Sequence, residues 1–281
     1  MYASDRPVDY LIIGHVSKDL TPDGSTLGGT AAYSSLTAQA LGKRAAILTS
    51  AGYDLDLDPL SDVQIHMVPS PVSTTFSNEY LPGGRLQSIS ATAASLTSAD
   101  IPDDWRDAPI VHIAPIANEV DSSILGIFPQ ALICLTPQGW LRRWGPSGEV
   151  WLENWEIIQD QISRAGAVVF SIEDLEGSED TIDQISQLCE ILAITEGSRG
   201  ALIFWAGEWR QIPAPIVDEI DPTGAGDIFA AAFFIFLNDG HSPWAAARFA
   251  NQLAAFSVTR SGIASVPRST DVKLVERMVS E

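Results

Sequence analysis

Cysteine is scarce in this sequence: Cys134 and Cys189 are its only two. Two cysteines make no disulfide framework, and the four histidines, His15, His66, His112 and His241, show no metal-ligand spacing with them. Basic residues are few as well, with 16 Lys and Arg against 36 Asp and Glu and a formal net charge of -20. Such a balance argues against nucleic acid or anionic membrane as a partner, since both call for a basic surface. An anionic ligand would have to be held locally by helix N-termini, arginines and a metal ion. No apolar run reaches membrane-spanning length, and the opening MYASDRPVDYLIIG has no charged leader before a long apolar segment. The expectation is a soluble cytoplasmic protein. Two phosphate-binding signatures are missing too: Gly-Lys-Ser/Thr of a P-loop, and the G-x-G-x-x-G that follows a Rossmann first strand.

What is present suffices for one large domain. The 281 residues are 46% hydrophobic and 19% charged, the balance of a globular chain with a full core. DYLIIG (9–14) reads as a buried strand, followed by a polar loop. Gly28 and Gly29 lead into the helical TAAYSSLTAQALG, and AAILTS (45–50) is the next strand. Strand, helix, strand at this spacing predicts a parallel sheet. The rhythm resumes at IVHIA (110–114), ALICLT (131–136), AVVFS (167–171) and ILAIT (191–195). SEDTIDQISQLCE is an amphipathic helix with Ser178 as N-cap. ALIFWAGEWRQI reads as a hairpin turning at Ala206-Gly207, and two helices close the core. Between about 63 and 97 the pattern alternates around Pro82-Gly83-Gly84, predicting an inserted antiparallel hairpin. Such a hairpin can serve as a lid, a homodimer contact, or both.

The segment DPTGAGDIFAAAFFIFL (221–237) raises the chemical question. Pro222 and the Gly224-Ala225-Gly226 run delay the helix to about Gly226, and the apolar stretch that follows is buried on every face. The first amides of such a helix point at whatever lies beyond its N-terminus, where small residues let an anion approach. Asp227 in the first turn either completes the helix start or serves a pocket as a carboxylate.

DPTGAGD before a buried helix resembles the C-terminal signature of the ribokinase/PfkB family of sugar and nucleoside kinases. LGGTAAYSSLTAQALG (27–42), TEGSRGALIF (195–204) and FANQLAAFSVTRSGIASVP (249–267) are similar to its Gly-Gly motif, nucleotide turn and closing helix with adenine-side loop. The resemblance covers nearly the whole chain. It implies a ribokinase-like α/β three-layer sandwich with a mostly parallel central sheet and a small β lid, as a single domain. It also implies an ATP- and Mg²⁺-dependent kinase acting on a hydroxyl of a small sugar, polyol or nucleoside. Carried over residue by residue, it makes Asp227 the catalytic base and the amides of Gly224, Ala225 and Gly226 an anion hole. A carboxylate beside a helix N-terminus is expected to stay ionised. Asp19 would bind substrate hydroxyls, with Gly28 and Gly29 as hinge glycines beneath the lid. Thr195, Gly197 and Gly200 would lie near the nucleotide phosphates and ribose, and Asn251 near the adenine.

Three stretches depart from the family pattern. SIED (171–174) stands where the family often has Asn-x-x-Glu, leaving Asp174, with Glu173 beside it, to hold metal-bound water. Tyr33 replaces a substrate-contacting asparagine common in sugar kinases. TPQGWLRRWG (136–145) places Gln138, Arg142 and Arg143 after a strand end, where α/β sheets bind ligands; Arg142 suits phosphate, and a surface loop is the other reading. With GGTAAYSS it is similar to a subgroup that includes inositol kinases. The altered SIED segment also leaves open a ligand-binding or regulatory protein of weakened catalysis on the same fold.

Overall fold

A computed structural model describes residues 7–22, 24–81 and 84–280. The strands in chain order are β1 (Tyr10–Ile13), β2 (Ser17–Thr21), β3 (Gly24–Gly28), β4 (Ala45–Ala51) and β5 (Gln64–Pro69). Next come β6 (Thr74–Leu81), β7 (Gly84–Ala91), β8 (Ile110–Ile113), β9 (Leu132–Leu135) and β10 (Arg142–Trp144). The last are β11 (Val150–Leu152), β12 (Ala167–Ser171), β13 (Ile191–Thr195), β14 (Ala201–Trp205) and β15 (Glu208–Ile212). The α-helices are α1 (Thr30–Ala40), α2 (Gln138–Leu141), α3 (Gln159–Ser163), α4 (Glu179–Ser186), α5 (Ala225–Asn238), α6 (Pro243–Ser257) and α7 (Ser269–Ser280).

Among the described residues nine strands form the central sheet, in the order β15-β14-β13-β12-β9-β8-β1-β4-β5. Seven run parallel, from β13 to β5, and the antiparallel β14–β15 hairpin extends one edge. Helices cover both faces, so the inner strands are apolar on both sides, as parallel strands must be. Tyr10 and Ile12 of β1 face the core under α1, α5 and α6, while Leu11 and Ile13 face the core under α3 and α4. α5 carries its buried run from Ile228 to Ile235, which accounts for its uniformly apolar sequence. Ser178 caps α4 by accepting from the Thr181 amide, as the sequence predicts, and the β14–β15 turn has Ala206 and Gly207 at positive φ.

The insertion differs from the expected single hairpin at 63–97. Residues 64–69 are β5 of the main sheet, and β6 and β7 form the hairpin. Its predicted turn falls on Pro82 and Gly83, outside the described residues. The polar loop expected after β1 is itself a hairpin, β2–β3, and β2 pairs in parallel with β6 to make a four-stranded sheet, β3-β2-β6-β7. Polar alternation in a short segment looks like loop until a second strand arrives to pair with it. A further hairpin, β10–β11, reaches this sheet where the Ile89 amide donates to the Gly148 carbonyl at 2.8 Å. Helix α7 follows the two closing helices. No described helix is long and apolar enough to cross a membrane.

Candidate active site

The carboxyl ends of the parallel strands and the inner face of the four-stranded sheet enclose a cleft of about 580 Å³. Asp227 stands in the first turn of α5. Gly224, the residue before that helix, has φ +80°, and a Cβ there would overlap the Tyr33 ring. Both facts require glycine. The Ala225 amide donates to the Pro222 carbonyl at 3.1 Å, and the first bond of the helix proper joins the Ile228 amide to the Gly224 carbonyl at 2.9 Å. Among the described residues no backbone carbonyl takes the amides of Gly224 or Gly226. Of the three amides expected from sequence to form an anion hole, a tight turn engages that of Ala225.

Asp19 lies across the cleft on β2, on the same face as Ser17, whose hydroxyl donates to it at 2.9 Å. Gly28, paired opposite Ser17, leaves the room its carboxylate occupies, since a Cβ there would overlap it. Gly28 thus shapes the site without lining it. Gly29, at φ +86°, precedes α1 and lines the cleft. Tyr33 also lines it but is only 3% exposed; burial drives its phenol well above the ordinary range. Arg142 extends from β10 with Nη1 donating to the Ile116 carbonyl at 2.9 Å and Nη2 to Gln138 Oε1 at 2.8 Å. Its guanidinium lies 5.5 Å above the Phe76 ring of β6. From the same sheet, Gln87 donates to its cross-strand partner Asn78 at 3.0 Å, and both line the cleft.

Burial pushes Asp227 up to about 6, against the opposing pull of a Thr30 hydrogen bond and the Arg142 charge; Asp19 and Asp174 push it further up. The carboxylate expected from sequence to stay ionised is thus harder to ionise than an exposed one. The removal of solvent around a carboxylate outweighs a terminal dipole that is worth roughly 0.3–1 kcal/mol at exposed sites. At neutral pH the group is still mostly ionised.

Thr195 closes β13 and lines the cleft with Ser171, Glu173 and Asp174. Asp174 is the third residue of a capping box, its Oδ2 accepting from the Ser171 amide at 2.9 Å. The other expected nucleotide residues lie elsewhere. Asn251 is buried, and its amide donates to the Ile212 carbonyl at 2.8 Å. Gly200, at φ +94°, packs so closely on the same carbonyl that a Cβ would overlap it. Both fasten the exit of β15, and Gly197 does not line the cleft either.

Sequence reasoning passed over a buried chain beneath the cleft. Thr136, on its floor, meets His112 Nε2 at 2.9 Å, and His112 Nδ1 meets the Tyr10 hydroxyl at 2.7 Å. Close to Tyr10, Ser34 donates its hydroxyl to the Asp227 backbone carbonyl at 3.1 Å. Burial pushes His112 down to about 3, so it is neutral. The chain ties the first turn of α5 to the sheet. Thr30 and Glu119 were also missed. Thr30 directly follows the Gly-Gly pair, and that position was its available signal; Glu119 is a hub whose carboxylate accepts the amides of His15, Ile116 and Ala117.

A helix-terminal carboxylate thus faces a second carboxylate across the cleft. The family model of the pfkB family carbohydrate kinases matches residues 163–270. The chain is 28% identical over 257 residues to the cytidine kinase of Thermococcus kodakarensis, covering 80% of this chain and 87% of that one. Its fold is similar to that of a pyrophosphate-dependent kinase in the ribokinase family solved with a pyrophosphate analog and myo-inositol. That likeness has a TM-score of 0.79 at 20% identity, over 94% of this chain and 99% of the other. It is also similar to the nucleoside kinase of Methanocaldococcus jannaschii, with a TM-score of 0.76 at 20% identity over 96% and 99% of the two chains. The chain's C-terminal part thus matches the pfkB family model over residues 163–270, and its fold is that of the ribokinase-like kinases. It is a phosphotransferase with an alcohol group as acceptor.

Proposed function

We propose that the protein transfers the terminal phosphoryl group of ATP to a hydroxyl of a small polyol, with Asp227 as general base. The observation that carries this reading is the placement of Asp227 at the amide end of α5, with Asp19 facing it across one cleft. Asp19, Asn78 and Gln87 orient the acceptor. Its hydroxyl gives a proton to Asp227 as the oxygen forms its bond to phosphorus, and the bond to the departing ADP breaks. The amides of Gly224 and Gly226 stabilise charge on the transferred group, and positioning with electrostatics supplies most of the rate.

The lining carries Asp19, Glu173, Asp174 and Asp227 against one cation among its described residues, Arg142. A donor phosphate therefore needs a metal. No described group of three metal-ligating side chains is present. Magnesium suits this lining, because it keeps its waters and binds through one or two carboxylates and substrate phosphates. Glu173 and Asp174 would hold it through water, and when bound it neutralises donor charge.

A polyol is favoured over a nucleoside because the Arg142 guanidinium covers the Phe76 ring, the face on which a base would stack. The cytidine kinase similarity supports the nucleoside reading. For the donor, exposed Ile220, two residues before cleft-lining Pro222, offers an apolar surface to a purine. Pyrophosphate is the second reading, supported by the diversion of Gly197, Gly200 and Asn251 away from the cleft. The test is a transfer screen over cyclitols, hexoses, pentoses and nucleosides, each with Mg-ATP and with Mg-pyrophosphate. Transfer to a cyclitol or linear polyol from ATP is the expected result. A folded protein that phosphorylates no member of the panel from either donor would overturn the proposal.

A further inference from the structure

Three side chains from separate elements line up toward Asp227. Arg142 Nη2 donates to Gln138 Oε1 at 2.8 Å, and Gln138 Nε2 donates to Thr30 Oγ1 at 3.2 Å. Thr30 and Asp227 line the same cleft, and Thr30 draws the Asp227 carboxyl downward as a hydrogen-bond donor does. The direction of each bond is forced. A guanidinium has no acceptor, so the oxygen of Gln138 must face it and the NH₂ must face Thr30. With its oxygen accepting from Gln138, Thr30 has one proton left to offer the carboxylate. Thr30 is 1% exposed, so solvent does not compete for that proton. Arg142 is itself anchored on the Ile116 carbonyl and the Phe76 ring.

We propose that Arg142, Gln138 and Thr30 form a one-directional hydrogen-bond relay that fixes the orientation and basicity of the Asp227 carboxylate, making Thr30 and Gln138 positioning residues of the transfer. The proposal rests on Asp227 being the base. A charged donor at the far end polarises each bond in turn and strengthens the last one. The relay keeps the carboxylate ionised against burial and against its like-charged neighbours. Those facing it are Asp19 from β2 and Asp174 from the turn after β12; Arg142 from β10 is the cation, and the phenols of Tyr33 and Tyr10 are kept neutral by burial. A carboxylate that loses such a bond in this setting becomes a stronger base, protonated at a higher pH.

The test titrates full-length protein carrying ¹³Cγ-labelled aspartate, with Asp227 assigned as the resonance missing in Asp227→Asn. The wild-type midpoint is expected near 6. Thr30→Val, which keeps the shape and removes the donor, should raise it by about one pH unit, while Thr30→Ser restores it. Gln138→Met should move it in the same direction by less, because the hydroxyl remains but loses its polarising partner. Gln138 is partly exposed, so this variant carries the test should Thr30→Val fail to fold. A role in packing alone lowers thermal stability and leaves the midpoint in place. Midpoints unmoved in every folded variant of Thr30 and Gln138 would overturn the relay. Failure of the base assignment reads differently: Asp227→Asn would then retain turnover in the transfer screen, whatever the midpoints do.

Discussion

Replacing Asp227 with asparagine should abolish turnover and stabilise the fold at the same time. Moving a carboxyl from its ordinary 3.8 to about 6 costs the charged native state about 3 kcal/mol, at 1.36 kcal/mol per pH unit. The raised value means the native protein binds more protons than the unfolded chain between those limits. Stability contributed by this group is therefore present below pH 4 and lost as pH rises through 6. Asparagine has no charge to bury and keeps an oxygen to accept the Thr30 hydrogen bond. At pH 7.5 the variant should gain up to about 3 kcal/mol. For 281 residues, with an unfolding entropy of roughly 2.1 cal/mol/K per residue, that is about 5 °C in melting temperature. The gain should shrink toward zero at pH 4. Thermal unfolding of both proteins from pH 4 to 8 measures it, alongside turnover, which should fall at least roughly 10²–10⁴-fold. The wild-type rate should decline on its acid side with a midpoint near 6. A variant no more stable than the wild type at pH 7.5, or a gap that does not close at low pH, would refute the burial argument. Near-normal turnover would refute the chemical one.

Three further outcomes can be checked. Gly224→Ala forces a side chain onto a backbone at φ +80° and into the Tyr33 ring; it should lose about 1–3 kcal/mol in urea unfolding and most of its turnover, as the amides of Gly224 and Gly226 move. His112→Leu leaves the Tyr10 and Thr136 hydroxyls without their buried partner; at roughly 1–3 kcal/mol for each unsatisfied group, the denaturant midpoint should fall with an unchanged slope. Glu119→Gln sets an NH₂ among the amides of His15, Ile116 and Ala117; a loss of about 2 kcal/mol or more is expected, and unchanged stability would show that the carboxylate is not the hub of that junction.

Most of the element order was legible along the chain because its signals are local. Apolar runs such as YLII and AVVF, punctuated by glycine, mark strands buried on both faces, and the wholly apolar 228–235 run marks the buried centre of α5. Pro222 and Gly224 place the start of that helix and put Asp227 in its first turn. Those placements follow from backbone sterics and hydrophobic periodicity, which neighbouring residues are enough to set. Other features had no such signal. The second hairpin of the lid emerged only when β6 arrived to pair with β2. Asn251 and Gly200 looked like nucleotide contacts by motif, yet the end of β15 claims both. Gln138 and Thr30, 108 positions apart, meet only in the folded chain. The sequence by itself determined that Asp227 stands in the first turn of the buried helix. Tertiary structure alone decided how basic that residue is, because the cost of its charge depends on the groups that enclose it and on the water they exclude, and those groups come from strands and turns distant in the chain.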